Sequence, residues 1–137
     1  MLAAADAAPD HGRLRPWRFH ILDGAVRDRL SEAYGAAAAA GGGGAEAVAR
    51  ARSKPLRGPC LVAAVARTVP SPKVPAWEQL AAAACAVQNL CLAATALGYG
   101  SAWRTGTAVD DDGVRAVLGL GPEERLIGFV HLGTPAK

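Results

Sequence analysis

The stretch from Trp77 to Leu97 constrains this chain more than any other. Its 21 residues contain no Gly or Pro, and Glu78 is its one charge. At 1.5 Å per residue this makes a single helix roughly 32 Å long. The helix is apolar nearly all round, so it must be buried on several sides. Length alone would also suit a bilayer span. However, the stretch opens on Glu78-Gln79, carries Gln88-Asn89 at its centre and is rich in alanine, where a span calls for Leu, Ile, Val or Phe. It reads as the core helix of a soluble protein, with no membrane partner. A chain of 137 residues is one domain by length, here taken as residues 1–137, and can hardly surround such a helix alone. The expectation is therefore a partner subunit packed through this helix.

The remaining pattern interleaves strands with helices of unequal length. Met1 to Ala8 reads as the last turns of a helix stopped by Pro9. Trp17 to Leu22 alternates as a strand, and Asp23-Gly24 turns the chain into a helix from Ala25. Val26, Leu30, Ala33 and Tyr34 share one face of that helix. Ala36 to Gly44 is alanine followed by a glycine loop, and Ala45 to Lys54 is a short helix whose basic end reads as a solvated face. Leu61 to Arg67 is a buried strand, and Val69 to Pro75 a proline-rich loop. Gly98 stops the long helix, Ser101 to Thr105 is a strand, Asp110 to Leu118 a short helix and Leu126 to Leu132 the last strand. No glycine-rich dinucleotide fingerprint follows any strand. The class is α+β: a mostly antiparallel sheet of about four strands flanked by helices, with the long helix buried at its centre.

Composition narrows the function. A net charge of +3 suits a phosphate-bearing ligand but does not call for nucleic acid. Arg13, Arg15, Trp17 and Arg18 could form a small basic binding face, but they lead into an apolar strand and are not continued elsewhere. Cys60, Cys85 and Cys91 form no metal-type spacing, and Cys85 and Cys91 fall on different faces of one helix. They read as reduced, buried thiols of a cytoplasmic protein. The N-terminus lacks the pattern of a signal peptide. Asp110 to Asp112 fit the N-cap and first turn of a helix better than a metal site, and His20 and His131 read as satisfied strand histidines. We find no catalytic triad and no metal cluster in the sequence.

The most informative segment is Ala8 to Phe19, APDHGRLRPWRF. Taken plainly, it is a helix stop, a loop in which Asp10 caps a turn and His11 sits at the surface, and a strand opened by Pro16-Trp17. The string also resembles the nitroreductase family, and its Asp-His version is similar to the YdjA-like group of NAD(P)H nitroreductases. Further stretches agree in order and spacing. They are Lys73 to Gln79 (KVPAWEQ), Cys85 to Asn89 (CAVQN), Leu97 to Gly100 leading to Trp103-Arg104-Thr105-Gly106, and Leu132 to Pro135 (LGTP).

The resemblance implies the nitroreductase-like fold, with FMN held at the interface of a homodimer and electrons passed from NAD(P)H to nitroaromatic or quinone-like acceptors. The isoalloxazine would carry the hydride, so no catalytic acid, base or nucleophile is required of the protein. By the same resemblance Trp103, Arg104, Thr105 and Gly106 lie against the flavin, and Arg104 favours its anionic reduced form. From the residues alone, an ion pair of Arg104 with Asp110, Asp111 or Asp112 stays open. Pro9, Asp10 and His11 approach the flavin from the neighbouring protomer, and Thr134 and Lys137 contact its phosphate.

The sequence also departs from the family pattern. The resemblance begins just before the Pro-Asp-His loop, so the family's N-terminal Arg-Arg-Ser segment, which binds the flavin phosphate, is expected to be missing, as is the short extension after the last strand. Ala7 stands where relatives often place an arginine. Losing two or three charge-assisted contacts, each worth about 1.5–3 kcal/mol, weakens flavin binding by several orders of magnitude. A non-catalytic or fragmentary protein of the same fold is therefore the competing reading.

Overall fold

The computed structural model describes residues 1–135. Four strands form one sheet in the order β1-β2-β4-β3, where β1 is Trp17–Leu22, β2 Cys60–Arg67, β3 Gly100–Arg104 and β4 Glu124–Gly133. Every neighbouring pair is antiparallel. The helices are α1 (Leu2–Ala5), α2 (Gly24–Ala40), α3 (Ala45–Ser53), α4 (Ala76–Ala96) and α5 (Asp112–Val117). These elements match the expected α+β architecture, with boundaries moved by a residue or two except where local chemistry intervenes. Helix α2 runs on through Ala36 to Ala40, because alanine has the highest helix propensity, and stops at Gly41. The expected helix at Asp110 begins later: a single 3-10 turn spans Thr107–Asp110, and Asp111 caps α5 by accepting from the Val114 N–H at 3.0 Å.

Strand alternation divides the core between the two faces of the sheet. On one face, Trp17, Val62, Ala64, Ala66 and Val130 pack against Ala82, Ala83, Ala86, Val87 and Leu90 of α4. On the other, Leu22, Leu61, Ala63, Val65, Leu126 and Phe129 pack against Leu30 of α2 and Val114 of α5. Beneath α4, Asn89 donates to the Ala4 carbonyl at 3.1 Å, and Asp6 accepts from the Trp17 indole at 3.0 Å. The buried Gln79 staples the proline-rich loop: its amide donates to the Val69 and Val74 carbonyls and accepts from the Val69 N–H. All its polar atoms are thereby paired, which is what allows it to be buried.

Helix α4 is where this chain departs from the expected burial. Only one of its faces is covered. Trp77, Ala81, Cys85, Gln88 and Leu92 lie on the opposite face and are exposed, Trp77 by 67% and Leu92 by 57%. Cys85, expected to be buried, is therefore exposed, while Cys60 and Cys91 are half-buried; all three are free thiols.

Candidate active site

A cavity of about 520 Å³ opens on the face of the sheet that carries α2 and α5. Strand alternation directs Ala102 and Arg104 of β3 to this face, beside Phe129 and His131 of β4, which are their register partners. The segment after β3 adds Thr105, Gly106, Thr107 and Ala108. The opposite wall comes from Tyr34 of α2 and from Lys54, Pro55, Arg57 and Gly58 in the loop between α3 and β2. The cavity therefore pairs an apolar and aromatic floor with three cationic side chains, and none of its lining residues is a carboxylate. Its volume falls in the range of roughly 300–1,000 Å³ usual for cofactor and small-molecule sites.

Tyr34 stands edge-on to Phe129, with ring centroids 6.2 Å apart. Burial pushes its phenol up to about 12, so at neutral pH the hydroxyl keeps its proton and can donate. The His131 Nδ1 lies 3.1 Å from the Arg57 carbonyl, an acceptor, so this nitrogen carries the proton in the bond. Arg104 finds no carboxylate within ion-pair distance among the described residues, and Asp110 lies instead 3.8 Å from Arg125. The alternative of an ion pair between Arg104 and Asp110, Asp111 or Asp112 is thus not the arrangement formed.

A glycine explains why β3 can come this close. Leu126 pairs with Val65 and Gly128 with Ala64, which leaves Ile127 as the extra residue of a bulge. Gly128 has φ +140°, and a Cβ built there would collide with the Trp103 indole nitrogen and sit 2.7 Å from the Arg104 carbonyl. The Trp103 indole N–H donates across the bulge to the Ile127 carbonyl at 3.1 Å. Trp103 therefore faces the α4 side of the sheet, and only Arg104, Thr105 and Gly106 of the expected quartet line the cavity.

Pro9, Asp10 and His11 are held elsewhere, at the start of α4. The Asp10 carboxylate accepts from the Arg15 N–H at 2.6 Å, and the His11 Nδ1 lies 2.7 Å from a Glu78 carboxylate oxygen. A Cβ at Gly12 would sit 3.1 Å from Val74. Arg13 and Arg15 both take left-handed backbone conformations, at φ 54° and 46°, which are costly for residues with a side chain. An exposed loop bearing such strain and fixed by two carboxylates matches the pattern of functional loops. None of its residues reaches the cavity of its own chain. Thr134 is exposed beyond β4, also outside the cavity lining, and Lys137 lies outside the described residues.

Tyr34, Lys54, Arg57 and His131 are cavity residues that the sequence reading did not assign to the site. Lys54 belonged to an end read as solvated; there Arg52 does pair with Glu32, at 2.8 Å, but Lys54 turns to the cavity. The two-residue spacing of Phe129 and His131 was the available signal for His131. His20, read as a satisfied strand histidine, instead leaves its buried Nε2 without a partner among the described residues. Trp17 is buried and Arg18 pairs with Glu124 at 2.8 Å, so these two do not present a basic, aromatic face.

The antiparallel sheet with its long helix, and a cationic cavity beside β3, define an α+β fold with a candidate site for an anionic small molecule, and comparison with known proteins gives the family. The nitroreductase family model matches residues 1–134. YdjA of Escherichia coli strain K12, provisionally named an NAD(P)H nitroreductase, is 38% identical over 135 residues, which is 98% of this chain and 74% of YdjA. A similarly named protein of Haemophilus influenzae is 35% identical over 132 residues, 96% of this chain and 72% of its own length. Among solved structures, a nitroreductase-like family protein from Bacillus cereus superposes with a TM-score of 0.78 at 24% identity, over 99% of this chain and 72% of that one. The FMN and NADPH-dependent nitroreductase NfnB from a Sphigopyxis strain superposes with a TM-score of 0.73 at 18% identity, over 97% and 75%. The chain belongs to the nitroreductase family and is an oxidoreductase.

Proposed function

We propose that this chain is an FMN-dependent oxidoreductase that carries hydride from NAD(P)H to nitroaromatic or quinone-like acceptors in ping-pong alternation, with the flavin at a homodimer interface. One observation carries the reading: Arg104, Thr105 and Gly106 meet Lys54 and Arg57 around a single aromatic-floored cavity. FMN, when bound, supplies the hydride chemistry; the protein supplies position and charge. The names of the relatives support both redox partners, since NfnB is FMN and NADPH-dependent and YdjA is assigned to the NAD(P)H enzymes.

The residues present fit such a cofactor. Phe129, Leu61, Ala102 and Ala108 offer an apolar surface to a flat ring system. Lys54, Arg57 and Arg104 provide positive charge for a phosphate or for a pyrimidine edge that gains electron density on reduction. The Tyr34 hydroxyl and the Thr105 and Thr107 side chains supply hydrogen bonds at the rim. The preformed Pro9, Asp10 and His11 loop, idle in its own chain, is suited to close the cavity of a second copy and exclude water. Because one cavity serves donor and acceptor in turn, no second nucleotide site is needed.

The test is the visible spectrum of the purified protein after incubation with FMN and desalting. Flavin retained near one per chain is the expected result. A protein that leaves the column colourless would overturn the flavoenzyme reading and favour a non-catalytic member of the family.

A further inference from the structure

Arg27, on the first turns of α2, does not line the cavity, yet it is tied to the cavity wall more densely than any lining residue. Its Nε donates to the Pro55 carbonyl at 2.9 Å, and Nη2 donates to the carbonyls of Gly58 at 2.8 Å and Arg57 at 3.2 Å. Nη1 reaches the Pro59 carbonyl at 3.3 Å. Four backbone acceptors within five residues thus converge on one half-buried guanidinium. No carboxylate lies within ion-pair distance of it among the described residues, so these carbonyls carry its electrostatic compensation. The loop they belong to includes Lys54 and Arg57, two of the three cations of the cavity.

We infer that Arg27 is the positioning residue of the cavity's cationic wall: by gathering the carbonyls of the 55–59 loop it fixes where Lys54 and Arg57 stand. The inference rests on the reading of that cavity as the FMN site. Three physical points support it. The guanidinium has five donors in a rigid fork, a geometry that matches several fixed carbonyls at once and that no lysine can reproduce. Every peptide here is trans and planar, so turning the Pro55 and Arg57 carbonyls towards Arg27 turns the Leu56 and Gly58 N–H groups the opposite way. Negative dipole ends are thereby collected around the Arg27 guanidinium, which compensates them. The Arg57 carbonyl also takes the His131 Nδ1–H, so the same network orients a further cavity residue. Gly58, at φ +69°, makes the turn possible without strain.

The experiment compares Arg27→Met, which keeps the stem and removes every donor, with Arg27→Lys, which keeps the charge. FMN affinity is read by flavin fluorescence, and amide hydrogen exchange is read across the flavin-free chain. The expected result for Arg27→Met is FMN affinity lower by about tenfold or more, with faster exchange confined to residues 54–60. Arg27→Lys should be intermediate in both. Affinity within about twofold of the parent, or unchanged exchange in the loop, would overturn the inference. So would faster exchange spread through β2 and α4, which would make Arg27 a general structural residue. Should the parent itself refuse FMN, the cofactor reading fails, and loop exchange in the flavin-free variants still decides whether Arg27 holds the wall.

Discussion

Individual side chains carry the electrostatics of this site, and Tyr34 shows it most measurably. Its phenol is desolvated between α2 and Phe129, which raises its pKa from 10.0 to about 12. The folded chain therefore holds this proton more tightly than the unfolded chain. The resulting stabilisation is fully present below pH 10 and is lost as pH rises through 12. The phenol is only partly buried, so after discounting for solvent screening the contribution is on the order of 1–2 kcal/mol. Urea midpoints measured between pH 10 and 12 should fall for the parent and fall less for Tyr34→Phe. Identical slopes for both proteins would show that Tyr34 is not the group responsible.

At the scale of elements, the bulge in β4 is the device that brings β3 to the cavity. Replacing Gly128 by Ala places a methyl group against the Trp103 indole and 2.7 Å from the Arg104 carbonyl, at a φ of +140° that alanine rarely adopts. Overpacking and backbone strain together should cost about 2–4 kcal/mol, seen as a lower urea midpoint with a changed Trp103 fluorescence. Parent-like stability would mean that β3 does not depend on this close approach. The bulge also marks how far the sequence was legible. Alternation at Trp17 to Leu22, prolines around Leu61 to Arg67 and the apolar run that fixed α4 to within a residue were legible because these signals are local. The Arg104-Thr105-Gly106 part of the site came through the ordered motif. Lys54, Arg57 and His131 escaped because their role depends on tertiary meeting: the register of β4 against β3, and a loop folded around Arg27. Lys54 looked like a helix end facing water, and it is exposed, but the packing of α3 beside α2 also sets it at the edge of the cavity. Trp103 was grouped with its neighbours, although strand alternation already assigns it to the other face.

At the scale of the whole molecule, the two halves of the expected flavin site do not meet within one chain. The cavity lies on the α2 and α5 face, whereas the loop of Pro9, Asp10 and His11, which runs into the strained Arg13 and Arg15, is pinned to Glu78 at the start of α4. The exposed stripe of Trp77, Ala81, Cys85, Gln88 and Leu92 begins one residue from that contact and runs along the length of α4. If a second copy covers this stripe, its own loop is carried along with it, and one packing event both buries the helix and completes two sites by symmetry. Leu92→Glu tests this, since an unpaired carboxylate in a packed helical interface costs several kcal/mol. The opposite face of α4, with Val87 and Leu90, is untouched, so the variant should stay folded. Light scattering should give a dimer for the parent and a monomer for Leu92→Glu, with FMN retention falling along with the mass. Arg104→Gln supplies the contrast: weaker FMN binding at unchanged mass is expected, because Arg104 lines the cavity and lies away from the α4 stripe. A Leu92→Glu protein that remains dimeric, or a parent that binds one FMN per chain as a monomer, would separate oligomerisation from cofactor binding. The strained loop would then need a role within its own chain.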